Sequence, residues 1–107
     1  MAEGETRAAL QLIQKDLDLP ETEINQLQSP QMDELHHYLT LAIRELLDSG
    51  FNKLLNALYR IDVSEKKVSE VIHMEAPDEI APKLATLVIE RELQKVYTRR
   101  KYSNPDK

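Results

Sequence analysis

EIAPKLATLVIERELQKVYTRRKY, residues 79–102, decides the fold. A helix turns by about 100° per residue, so side chains three and four apart share a face. Ile80, Leu84, Leu87 and Val88 fall on one side, and that line runs on into Arg91 and Lys95. Ala85, Ile89, Leu93 and Val96 lie on another. A helix with a single neighbour needs only one apolar stripe. This one has two, so it is either a central helix packed by different neighbours at its two ends, or a helix with one face left for a partner.

The rest of the chain reads as shorter helices that such an element could organise. Ala9, Leu10, Ile13 and Leu17 give an amphipathic helix over 5–18, stopped by DLP at 18–20. PETEINQLQ, 20–28, offers only Ile24 and Leu27 for burial and is a short helix or an ordered connector. Ser29-Pro30 has the form of a helix start, a capping hydroxyl followed by a proline that gives up an unused donor. The spacing predicts a helix over 30–48 that buries Met32, Leu35, Leu39, Ala42, Ile43 and Leu46. Gly50 is suited to end it in the left-handed conformation. Phe51, Leu54, Leu55, Leu58 and Ile61 then form the next stripe, with almost no loop between the two helices.

Asp62 with Glu65, or Ser64 slightly further on, marks the start of a helix to Met74 burying Val68, Val71 and Ile72. Pro77 and Pro82 break the chain after it, and Pro82 is tolerable only near the beginning of the last helix. The expectation is an all-α single domain over residues 1–107: five or six helices in orthogonal or irregular packing, the last one long, with residues 1–4 and 103–107 frayed.

Composition narrows the chemistry. With no cysteine there is no disulfide, thiol nucleophile or Cys-ligated metal. Two glycines are too few for a phosphate cradle. No stretch approaches a membrane span, and residues 1–10 lack the pattern of a signal peptide, so a cytoplasmic protein is expected. The net charge of −5 argues against broad nucleic-acid binding, yet it is unevenly spread. Residues 91–107 hold six basic side chains against two acidic ones, a net of +4, leaving −9 on the first 90. Arg99, Arg100, Lys101 and Tyr102 make a small cluster able to contact phosphates and stack on bases, a subsidiary reading.

DELHHYLT, 33–40, raises the question of a metal or proton-transfer site. Neighbouring residues diverge on a helix, so His36 borders the buried face whereas His37 points outward near Asp33. A metal or hydrolytic site would need His36, His37 and His73 to converge with Asp33 or Glu75. Arg91, in line with a core stripe, needs a carboxylate from another helix (Glu45, Asp48 or Glu75) or holds a ligand. The reading that best fits the sequence is a protein–protein interaction or adaptor module without catalysis or cofactor. Its contact, with a second copy or another protein, would centre on Ile89, Leu93 and Val96, rimmed by Tyr97 and Arg100.

Overall fold

The computed structural model describes residues 2–26 and 30–102, and among them there is no strand. Five helices follow one another: α1 (Ala2–Leu17), α2 (Met32–Ser49), α3 (Phe51–Ile61), α4 (Glu65–Met74) and α5 (Pro77–Tyr102), with a 3-10 turn at Glu23–Gln26. They form one globule in which α5 touches all four other helices, and its closest neighbours are α2 and α1. The expected all-α bundle with a long last helix is therefore the fold. Helix α1 already runs at residues 2–4, where fraying was expected, and residues 103–107 lie outside those described.

The two apolar faces of α5 are both used inside the chain. Leu84, Ala85 and Val88 have no exposed surface, and Ile89 and Val96 are only 6% and 5% exposed. Leu84, Ala85, Val88 and Ile89 belong to one core with Leu10, Ile13 and Leu17 of α1 and Leu35, Leu39 and Ile43 of α2. Each fully buried side chain of this size contributes about 1.5–3 kcal/mol of apolar transfer energy. That outweighs the loss of one helical hydrogen bond at Pro82, which lies inside α5 about a turn from its start.

The helix ends differ in detail from the sequence expectation. Ser29 lies outside the described residues; α2 begins at Met32, and the Glu34 carboxylate accepts from the Gln31 backbone N–H at 2.7 Å. Met32 is more than a third exposed rather than buried. Gly50 joins α2 to α3 alone, at φ −153° and ψ 48°, so it is not left-handed as its position suggested. The left-handed residues are aspartates, Asp18 at φ 56° and Asp62 at φ 71°. Each ends a helix the same way: Leu19 N–H reaches Gln14 O at 2.9 Å after α1, and Val63 N–H reaches Leu58 O at 3.1 Å after α3. The repeated pattern of apolar residue, Asp, apolar residue lets the flanking Leu19 and Val63 pack inward. Asp62 therefore closes α3, and it is Ser64 whose hydroxyl caps α4, accepting from Lys67 N–H at 3.3 Å.

One charge is sealed in the α1–α5 seam. Glu92 has no exposed surface, and neither of its carboxylate oxygens accepts a hydrogen bond. Lys95 Nζ stands 3.4 Å from it and 3.8 Å from Asp16 on α1. Burial, and then the neighbouring Asp16 carboxylate, push the Glu92 carboxyl from an ordinary 4.5 to about 7, with Lys95 pulling the other way. The folded chain thus holds a proton that the unfolded chain has released between pH 4.5 and 7. Its stabilising effect is complete below the unfolded value and is lost as pH rises through about 7. Denaturant unfolding should show the protein about 2 kcal/mol less stable at pH ~8.5 than at pH ~5.5 from this group. In Glu92→Gln that difference should vanish.

Candidate functional site

The three histidines occupy three separate environments. His36 lies between α2 and α5, its Nε2 3.0 Å from Pro82 O and 3.1 Å from Thr86 Oγ1. A carbonyl oxygen can only accept, so Nε2 carries the proton and the ring is a structural donor to the helix turn at Pro82. His37 is exposed and makes no ion pair with Asp33 or Glu34; with them, Tyr38 and Leu41 it lines a shallow recess of about 630 Å3. His73 Nδ1 is 2.8 Å from Ser69 O and 3.2 Å from Ser69 Oγ. The carbonyl again places the proton on that nitrogen, which cannot then serve as a base toward Ser69. Glu75 pairs with Lys83 at 3.1 Å and not with His73. Among the described residues no three of His, Asp or Glu come together as a group able to hold a metal ion.

Arg91 finds a carboxylate, from a residue outside the expected set. Its Nη2 donates to Asp62 Oδ2 at 3.3 Å and its Nε to Asp62 O at 3.2 Å, while Nη1 reaches Gln94 Oε1 at 3.2 Å. The guanidinium therefore sits on the carbonyl end of α3, where a cation is favoured. It is an ion pair that ties α5 to the α3–α4 link.

The expected contact face of α5 needs correction. Ile89 and Val96, two of the three residues at its centre, are covered by the chain itself, and Leu93 is half-buried against the core. Tyr97 is 66% exposed and lines a recess of about 370 Å3 with Glu5, Glu90, Leu93 and Gln94. Arg99 is exposed; the side chains of Arg100, Lys101 and Tyr102 lie outside those described. An apolar patch built on Ile89 and Val96 is thus absent from the surface of the folded chain, because α1 and α2 need those residues.

Exposed apolar surface is found instead on α3. Leu54, Ala57, Leu58 and Ile61 point into the core, but Phe51, Leu55 and Tyr59, one turn apart, are 41%, 38% and 75% exposed. Helix α4 packs against α5 and makes little contact with α3, so the seam between α3 and α4 stays open. The result is a groove of about 570 Å3, floored by Leu58, Val63, Val68 and Ile72 and walled by Phe51, Leu55 and Tyr59. Asn56, Glu65, Ser69 and His73 form its polar edge. An opening of this size, mostly apolar with a few polar groups, is what ligand and peptide sites have in common.

The sequence carried a signal for this groove that went unread. Phe51, Leu54, Leu55, Leu58 and Ile61 read as one stripe, but from Ala57 round to Tyr59 the apolar arc of α3 spans about 200°. That is too wide for one neighbour, the same argument that applies to α5.

Comparison of the chain with protein-family models, with curated proteins and with solved structures finds no match. The site is therefore read from its geometry. If the outer stripe of α3 is surplus to folding, Leu55→Ser should lower stability by less than about 1 kcal/mol in denaturant unfolding. Leu54→Ala, one residue away but fully buried, should cost about 2–5 kcal/mol.

Proposed function

We propose that this protein is a protein–protein interaction module of adaptor type, which binds an amphipathic helix of another protein in the groove between α3 and α4. The observation that carries the reading is the run of Phe51, Leu55 and Tyr59, exposed together along one wall of an open apolar groove. Scattered apolar residues on a surface need no explanation, whereas a contiguous concave set marks a contact site. Its lining comes from runs of side chains on two helices, which suits the ridge of a third helix presenting anchors three and four residues apart.

The proposal keeps the interaction role expected from the sequence and moves it from α5 to α3 and α4. The His36 and His73 nitrogens with close partners both face carbonyl oxygens, so neither is placed to act as a base there. No helix among the described residues is long and apolar enough to cross a membrane. We place the protein in the cytoplasm, the location expected from its sequence.

A library of displayed helical peptides, selected against the protein, tests the reading. Peptides that bind should lose at least about tenfold in affinity toward Leu55→Asp, measured by fluorescence anisotropy, because a charge at a central apolar anchor is left unpaired. They should bind Leu41→Asp, altered at an exposed leucine outside the groove, as well as wild type. Selected peptides that ignore Leu55→Asp, or a selection that yields none, would sink the proposal.

A further inference from the structure

We infer that the helix accepted by the α3–α4 groove carries acidic side chains along the flank that overlies α3. This rests on the groove reading and adds the chemistry of the partner.

The argument begins with what borders the groove on each side. Along α3, beyond the apolar wall, lie Lys53 and Arg60, and facing them at the end of α1 is Lys15. With Asn56 and Asp18 they surround a recess of about 620 Å3. Asn56 lines both this recess and the apolar groove, so the basic surface begins where the apolar one ends. Three cations against one carboxylate give the recess a net positive charge, on a chain whose total is −5.

These cations are only loosely engaged. Lys53 Nζ is 3.6 Å from Asp18 Oδ2, with the two side chains 49% and 86% exposed, so the pair is solvated and weak. Arg60 donates through Nη2 to the backbone oxygen of Asp16 at 2.9 Å, at the carbonyl end of α1, which favours a cation without supplying a full opposing charge. The opposite edge of the groove, on α4, is formed by Glu65, Ser69 and His73; beyond it the exposed Lys66 and Glu70 offset each other, so that edge keeps the negative charge of Glu65. The two edges thus differ in sign, and a helix laid between them is oriented by charge as well as by its apolar stripe.

Spacing sharpens the expectation. Lys53 and Arg60 are seven residues apart on α3, about 10.5 Å along its axis. Two carboxylates about two turns apart on the partner would match them. A basic amphipathic helix would instead set like charges against this edge.

The test is the flank composition of helical peptides selected with a fixed apolar stripe and fully randomised flanks. Asp and Glu should dominate Lys and Arg on one flank, with pairs about two turns apart. The double variant Lys15→Glu, Lys53→Glu, both at exposed sites, should weaken a selected acidic peptide about fivefold at low salt. It should do so much less in about 0.5 M salt, where exposed charges are screened. Peptides that still depend on Leu55 but show no acidic preference, or a basic one, would overturn this inference and leave the groove reading in place. Failure to obtain Leu55-dependent peptides would overturn both. If the protein alone forms a concentration-dependent dimer in sedimentation that Leu55→Asp abolishes, the occupant is a second copy and the acidic-helix assignment is wrong.

Discussion

Everything in this small bundle depends on α5 being buried on two sides at once. A 107-residue chain has room for one core, and a 26-residue helix is long enough to be its axis. With α1 and α2 both packed against α5, residues that look like spare surface in the sequence become structural. The arrangement also explains the odd position of Glu92: where two helices close over α5, one carboxylate is shut in with them, next to Asp16 and Lys95. A buried ionisable group of this kind adds little stability, and it makes the α1 seam the pH-sensitive part of the fold.

Once α1, α2 and α5 have satisfied each other, α3 and α4 are left to cover the remainder. They cover it incompletely. Helix α3 is only 11 residues long and carries more apolar surface than its inner face can use. Helix α4, of 10 residues, buries Val68 and sits over α5. The groove between them thus follows from the division of labour among the helices, with the surplus concentrated where Phe51, Leu55 and Tyr59 stand in line.

Much of this was readable in the sequence because periodicity reports burial directly. The helix spans, the single core and the double face of α5 all follow from spacing at three and four residues. What spacing cannot report is which of two apolar faces finds a partner within the chain. Ile89 and Val96 were assigned outward and lie inward; Leu55 was assigned inward and lies outward. Both errors have one cause, since pairing of helices is set by tertiary packing and the helical wheel gives only the face. The histidines illustrate the same limit in polar terms. Geometry on α2 correctly separated His36 from His37, but only the fold could supply Pro82 O and Thr86 as the partners of His36. The left-handed ends at Asp18 and Asp62 escaped because glycine was sought there, while a short polar side chain tolerates that conformation too.

A groove that merely failed to close would collapse if α4 were free to tilt onto α3, and burial of Leu55 and Ile72 would favour that movement. Contacts to α5 oppose it at both ends of α4. At the N-terminal end, Arg91 holds Asp62, two residues before the Ser64 cap. At the C-terminal end, Lys83 holds Glu75. Each is a surface pair of about 0–1 kcal/mol, too weak to stabilise the fold by itself. The position of α4 is set first by Val68, buried in the shared core, and by packing on α5, and the two pairs add to this at either end. On the proposed reading, a groove held open in this way would lower the ordering cost of binding. Arg91, which by its position could have held a ligand, instead ties α5 to the α3–α4 link through Asp62 and lines no part of the groove.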